Sequence, residues 1–212
     1  MQKNSQVFYV TEYWNKNLTE ASWRKLQKIS QEYDFILIGG WATYLWTSRN
    51  KSKDIDIIVD FKTLERLKQD YNLKKNDKLK KYEIKTSEFD IDVYVPYYSD
   101  LVIPLNEVKT TKIQGIKTLA AEELLILKQD AEIDRRNTVK GKKDSIDIIT
   151  LLMYADINIK RYKKLLKNYN IVNFRKELKK VINNFNKKDI KYLEVDFKEF
   201  KDWQKEILKE LR

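Results

Sequence analysis

The chain has 212 residues, and its 43 Lys and Arg against 32 Asp and Glu leave a formal charge of +11. With no cysteine and no histidine, disulfides, thiolate sites, cysteine nucleophiles, serine–histidine chemistry and histidine-held zinc are excluded, and a reducing cytoplasm suits the composition. Thirteen Tyr and five Trp, in a length that allows one or two domains with a real core, point to a folded protein whose chemistry must come from carboxylates, lysines, arginines and hydroxyls.

Residues 1–17 are polar and aromatic with no clear period. They hold no apolar signal core, and no apolar run approaches membrane length, so a soluble cytoplasmic protein with no membrane partner is expected. A helix is predicted over 18–33, with Thr19 as its cap and Trp23, Leu26 and Ile29 on one face. Phe35, Ile36, Leu37 and Ile38 form a continuous apolar run, as in a strand covered on both faces. Gly39-Gly40 breaks the run and lets a ligand approach the main chain. Trp41, Ala42, Leu45 and Trp46 follow at helical spacing, so free N–H groups at that helix start suit a phosphate.

After a basic loop carrying Arg49, Lys51 and Lys53 comes a strand over 54–59. Alternate residues of a strand share a face, so Asp54 and Asp56 project together while Ile55, Ile57 and Val59 go to the core. Paired carboxylates repel unless a cation sits between them, and magnesium prefers such oxygens with substrate phosphates completing its shell. A helix is predicted over 61–71 from Leu64, Leu67 and Lys68, then a lysine-dense strand or hairpin over 73–86. The alternating strand over 88–95 places Asp90 and Asp92 on one polar face and ends at Pro96. As an antiparallel neighbour of the Asp54–Asp56 strand it brings one of them to that pair as a third acid.

Further on, a strand is predicted near 108–113, then a helix capped by Thr118, with Glu122 and Glu123 in its first turn and Leu124, Leu127 and Ala131 along it. A basic loop over 135–143 contains Gly141, and helices follow over 144–154, 159–169, 174–184 and 197–211. In the last, Phe200, Trp203, Ile207 and Leu211 form an apolar stripe that reads as core. The expected fold class is α/β (α+β): a small mixed β-sheet core with flanking helices, then a helical C-terminal region. A boundary near Gly115 divides it into domains at 1–116 and 117–212, without a low-complexity linker or an internal repeat.

The order of apolar strand, Gly39-Gly40, Asp54-Ile55-Asp56 and a later Asp92 or Asp90 resembles the nucleotidyltransferase superfamily, which includes DNA polymerase beta, minimal nucleotidyltransferases and antibiotic adenylyltransferases. Asp92 is favoured, because it runs into Val93-Tyr94-Val95 as the family strand does. Gly-Gly-Trp-Ala at Gly39 to Ala42 also looks like the aminoglycoside and lincosamide adenylyltransferases. A further stretch, with Lys128 on a helix, then Arg135-Arg136, then Lys143-Asp144-Ser145-Ile146-Asp147, resembles the abortive-infection (AbiEii-like) branch. The two stretches together span roughly 35–153.

The resemblance implies transfer of a nucleoside monophosphate from a nucleoside triphosphate (NTP) to an acceptor hydroxyl. Asp54, Asp56 and Asp92 would hold two magnesium ions, with manganese as a substitute. Gly39 and Gly40 would bind phosphate oxygens, Arg49, Lys53 and Lys128 would offset charge on the leaving pyrophosphate, and Asp144 or Asp147 would lend support. Lys128 as a snorkelling surface lysine, Asp144 as a helix cap and Asp147 as an i,i+4 partner of Lys143 are the plain structural alternatives.

The positive charge by itself fits either a polyanionic partner or a lysine-rich coding bias. It concentrates over 158–188, where Lys160, Arg161, Lys163, Lys164, Lys167, Arg175, Lys176, Lys179, Lys180, Lys187 and Lys188 are opposed only by Glu177. That favours RNA, such as a tRNA end, as acceptor, with Tyr162, Tyr169 and Phe174 as base-stacking candidates. A toxin of this kind would also have an antitoxin partner. The rival readings are an antibiotic adenylyltransferase, which the basic charge disfavours for cationic aminoglycosides, and an inactive nucleotidyltransferase fold kept for binding nucleic acid.

Overall fold

A computed structural model describes residues 16–212. The opening stretch read for a signal core lies, through residue 15, outside the described residues. Helix α1 (Lys16–Glu32) is followed by β1 (Ile36–Ile38), α2 (Gly39–Thr47), β2 (Ile55–Ile58), α3 (Phe61–Asp70), the hairpin β3 (Leu73–Asn76) and β4 (Lys81–Lys85), and β5 (Asp90–Tyr94). A second hairpin, β6 (Thr110–Ile113) and β7 (Ile116–Leu119), leads into α4 (Ala121–Arg135), α5 (Val139–Tyr154), α6 (Ile159–Asn168), α7 (Phe174–Asn184), a 3-10 helix (Lys187–Leu193) and α8 (Phe197–Glu210).

The seven strands make one mixed sheet in the order β3-β4-β5-β2-β1-β7-β6. The apolar run at the start of the chain therefore becomes β1 near the centre, antiparallel to β2 and parallel to β7. Strand β5 lies parallel to β2, not antiparallel as expected, with Asp56 opposite Asp92. The return is made possible by the β3–β4 hairpin, whose second strand pairs antiparallel with β5. Ile57, Ile84, Ile91 and Phe35 then share a dry face with Ile29 of α1 and Leu67 of α3.

Two expected helix caps are elsewhere. Thr19 sits inside α1, where its buried hydroxyl donates to the Lys16 carbonyl at 3.0 Å. Thr118 belongs to β7 opposite Leu37, and its hydroxyl donates to the Leu37 carbonyl at 2.9 Å. Pairing with β1 claims the backbone of Thr118, so α4 opens one residue past Ala120 and has no side-chain cap. The division after residue 116 falls inside β7, a strand of the sheet. Gln114 and Gly115, both in the left-handed region at φ +50° and +80°, make the tight turn between β6 and β7.

Helix α4 is buried on nearly every side, which is why its apolar spacing alone describes it poorly. Its polar residues are matched one by one. Glu122 and Glu123 receive Arg161 of α6, Gln129 accepts from Tyr162 at 2.7 Å, and Glu132 receives Arg136 at 2.8 Å. Helix α5 starts at Val139, within the stretch expected to be a basic loop, because the Thr138 hydroxyl accepts the Gly141 N–H at 3.1 Å and caps it. Gly141 lies so close to α4 that a Cβ there would stand 2.0 Å from the Arg135 carbonyl oxygen. Glycine at this position is what lets α4 and α5 close on each other.

On α6 and α7 the apolar stripes face inward and the lysines outward. Tyr162 and Phe174 are buried core residues, which removes them as base-stacking candidates; Tyr169 is half-buried. Phe200 and Ile207 of α8 are buried as expected, and Asp196 with Glu199 closes a capping box at its start. Among the described residues no helix is long and apolar enough to cross a membrane.

Candidate active site

The polar face of the β2–β5 ladder carries the acids picked from the sequence. Asp56 and Asp92 stand in register on adjacent parallel strands, and Asp54 precedes β2 by one residue. Asp54 leans toward β5, where its Oδ1 accepts the Asp90 N–H at 3.2 Å. The Asp90 carboxylate turns away to Lys85, 2.8 Å distant, so Asp92 is the acid that faces Asp56.

Burial, with the Asp92 and Asp54 charges adding to it, pushes the Asp56 carboxyl up to about 6, while Lys128 pulls the other way. Burial likewise raises Asp92 against the opposing pull of Lys81. Lys81 of β4 lies 2.5 Å from Asp92 Oδ2 and 3.2 Å from Glu83, and burial of its ammonium is outweighed by those partners, which hold its pKa above the usual lysine range. Asp92 Oδ1 is buried and has no hydrogen-bond partner among the described residues. No group of three or more acidic side chains among the described residues is gathered into a finished metal cage. The donor set nonetheless suits a hard divalent cation: it offers only oxygens, excess negative charge is concentrated on Asp56, and Asp92 holds an unused buried oxygen.

The double glycine is packed onto this face. Gly39 has φ +68°, in the left-handed region, and a Cβ there would stand 2.1 Å from Asp56 Oδ2. Any other residue would strike the carboxylate. At Gly40 a Cβ would meet Ser52 Oγ at 2.4 Å and lie 3.7 Å from Lys143 Nζ. Helix α2 begins at this turn with no side-chain cap, so its first N–H groups face the same region.

The basic candidates disperse. Lys53 is exposed beside Asp54. Arg49 is held elsewhere: its guanidinium stacks 3.9 Å from the ring centre of Tyr154 and lies 3.3 Å from Glu194. Tyr154 ends α5, eleven residues past Lys143 and so roughly 16 Å along the helix. Lys128 does not snorkel. It is 7 % exposed, with its ammonium 2.5 Å from Asp147 Oδ2 and 3.4 Å from Asp144 Oδ1. Burial disfavours its charge, but Asp147 and Asp144 outweigh that and hold its pKa above the usual range. Asp144 is also clasped by Arg135 at 2.6 and 3.0 Å. Asp144 and Asp147 thus tie α5 to α4; Asp144 lies within α5 and not at its cap.

Ser52 and Lys81 were given no role from the sequence, and Lys143 only that of an i,i+4 partner for Asp147. Lys143 adjoins Asp144 in the motif itself, and that adjacency was the signal available. Ser52 and Lys81 left none, because each depends on which strand or helix lies alongside.

No family model and no curated protein matches the sequence. Among solved structures, JHP933 from Helicobacter pylori is similar at 17 % identity and a TM-score of 0.54, over 93 % of this chain and 92 % of that one. A candidate nucleotidyltransferase from H. pylori is similar at 17 % identity and a TM-score of 0.52, over 93 % and 96 % of the two chains. The mixed seven-stranded sheet, the glycine turn behind Asp56 and the helices packed around them make this chain a nucleotidyltransferase fold with flanking helices.

Proposed function

We propose that this protein transfers a nucleoside monophosphate from a nucleoside triphosphate to an acceptor hydroxyl, with RNA, such as a tRNA end, as the acceptor class. The observation that carries the reading is the register of Asp56 with Asp92, backed by a left-handed Gly39 that leaves no room for a side chain behind Asp56. Asp54, Asp56 and Asp92 would hold magnesium or manganese, two ions being expected from three acids. Bound there, such ions supply charge neutralisation for a triphosphate and a lowered pKa for an attacking hydroxyl.

The chain's own residues divide the remaining work. Gly39 and Gly40 let phosphate oxygens reach the N–H groups at the start of α2. Asp92 Oδ1, with no hydrogen-bond partner among the described residues, is the acceptor for the hydroxyl proton, since no histidine exists to take it. Lys81 steadies Asp92 from the neighbouring strand. Lys128 acts through its field on Asp56, lowering the cost of keeping that carboxylate charged. Lys53 lies at the rim, where it would meet the leaving pyrophosphate.

The outward lysines Lys160, Lys164, Lys167, Lys176, Lys180, Lys187 and Lys188 support a polyanionic acceptor. Arg161 does not contribute to that surface, being matched to Glu122 and Glu123. A toxin of an abortive-infection type, held by an antitoxin, is the cellular setting most in keeping with such an activity.

The test uses four labelled NTPs, magnesium and total cellular RNA, with Asp56→Ala as control. Label entering RNA with wild type and not with the variant is the expected result, and it identifies the nucleotide. Label on protein instead would replace the acceptor. Neither transfer nor magnesium-dependent nucleotide binding would refute the enzyme reading.

A further inference from the structure

We infer that Lys81 is a displaceable stand-in cation: it holds Asp92 Oδ2 while the site is free of metal and retires onto Glu83 when a divalent ion takes that oxygen. The inference rests on the metal-dependent nucleotidyl-transfer reading of the site and makes Lys81 a positioning residue that sets metal affinity.

Strand register carries the argument. Asp56 of β2 stands opposite Asp92 of β5, and Asp92 stands opposite Glu83 of β4. Residues paired across strands share a face, so three carboxylates form a row over three adjacent strands. Like charges directly opposite one another are destabilising. Lys81 lies two residues before Glu83 on the same face of β4, and its long side chain reaches diagonally into the row. Its ammonium stands 2.5 Å from Asp92 Oδ2 and 3.2 Å from Glu83 Oε1. Lys81 thus fills the outer interval, between Asp92 and Glu83. The inner interval, between Asp56 and Asp92, is the one that the metal reading assigns to a divalent ion.

The two partners of Lys81 differ. Glu83 is fixed from both sides: Asn76 of β3 donates to its Oε1 at 3.2 Å, and Lys85 lies 3.5 Å from its Oε2. Asp92 gives Oδ2 to Lys81 and keeps a buried Oδ1 with no hydrogen-bond partner among the described residues. A cation that left Asp92 would therefore still have an anchored carboxylate on its own strand. The contrast is with Lys128, whose ammonium joins two acids that are buried almost completely. A divalent ion brings twice the charge of an ammonium to an oxygen ligand in a compact centre, so it outcompetes a lysine for Asp92 when Asp56 contributes as well.

The test measures manganese binding to the full chain by titration calorimetry, alone and with each of the four NTPs, beside the unfolding temperature of the metal-free protein. The variants are Lys81→Met, Lys81→Arg, Glu83→Gln, the double variant Lys81→Met with Glu83→Gln, and Lys85→Met as a charge control. Lys81→Met is expected to unfold at a lower temperature without metal yet to bind manganese about tenfold more tightly, because no ion pair has to be given up. A merely structural lysine would lower stability without tightening metal binding. Lys81→Arg, with a planar fork that grips carboxylates more firmly, should bind the metal more weakly than wild type. Glu83→Gln should also weaken it, and should do so much less once Lys81 is gone. Unchanged or weaker manganese binding by Lys81→Met would overturn the inference while the nucleotidyl-transfer reading stood. An equal gain in Lys85→Met would reduce the effect to net charge, and equal losses from Glu83→Gln with and without Lys81 would remove the hand-over; either overturns it. If Lys81→Met does not fold, wild-type affinity in Lys81→Arg decides against it. If wild type binds no manganese with or without an NTP, the metal reading of the site fails and the inference falls with it.

Discussion

Replacing Lys128 by Met should damage the fold far more than the loss of one surface charge would. The side chain keeps its length and apolar stem, so the change removes little besides the ammonium. Asp147 is fully buried; its Oδ2 receives Lys128 at 2.5 Å, and its Oδ1 has no hydrogen-bond partner among the described residues. Asp144 suffers less, because Arg135 still clasps both its oxygens. The expected cost is that of one stranded buried carboxylate, about 3–5 kcal/mol. Against a typical total stability of about 5–15 kcal/mol, that is a large share, and it corresponds to a fall in unfolding temperature of roughly 6–20 °C for a chain of this size. The assay is denaturant unfolding of wild type, Lys128→Met, Asp147→Leu and the double variant. The double variant should recover most of the loss, since removing both charges leaves nothing stranded. Lys128 is held above the ordinary lysine range, so the contribution is fully present below the unfolded-state lysine pKa and is lost only as pH rises through the higher folded value. It should therefore be flat across neutral pH. A loss below about 1 kcal/mol in the single variant, or a double variant no better than the single, would refute the idea of a sealed tie.

Gly39→Ala should lower stability by about 1–2 kcal/mol for the left-handed backbone alone, and displacement of Asp56 should weaken magnesium–NTP binding at least about tenfold; calorimetry showing wild-type affinity would contradict it. Gly141→Ala forces a methyl group onto the Arg135 carbonyl and should cost about 1–3 kcal/mol by denaturant midpoint, as overpacking does. Asp130 is pushed up to about 6 by burial, with Asp134 and Asp100 adding repulsion against the Val102 N–H. A raised carboxyl favours the fold below its unfolded pKa and loses that advantage as pH rises through about 6. Asp130→Asn should accordingly stabilise the protein at pH 7.5 by about 1 kcal/mol, after screening at this half-buried position, and flatten the stability profile between pH 4 and 7; an unchanged profile would count against it.

Local spacing made much of this protein readable. The apolar run before Gly39-Gly40, the alternation around Asp54 and Asp56, the lysine-dense hairpin and the stripe from Phe200 to Leu211 each report on residues within a few positions, where strand and helix periods leave their mark. The same spacing puts the glycine turn, Asp54 and Asp56 in one stretch of chain, so that part of the candidate site can be picked out from the sequence.

Tertiary structure decided what lay beside what. Asp92 faces Asp56 because the β3–β4 hairpin returns β5 parallel to β2, and a parallel neighbour has the same local pattern as an antiparallel one. Thr118 became a strand residue because β1 had an unpaired edge to fill. Lys128 and Lys143 lie on neighbouring helices and look equally available in the sequence. One is sealed by two buried acids and the other reaches Ser52 and Gly40, a difference set by the approach of α5 to α4 at Gly141 and to α2 at Gly40. Periodicity fixes which side of an element is apolar. Which elements bury those sides against each other is settled by competition among all of them for the same core, and that competition leaves no local trace.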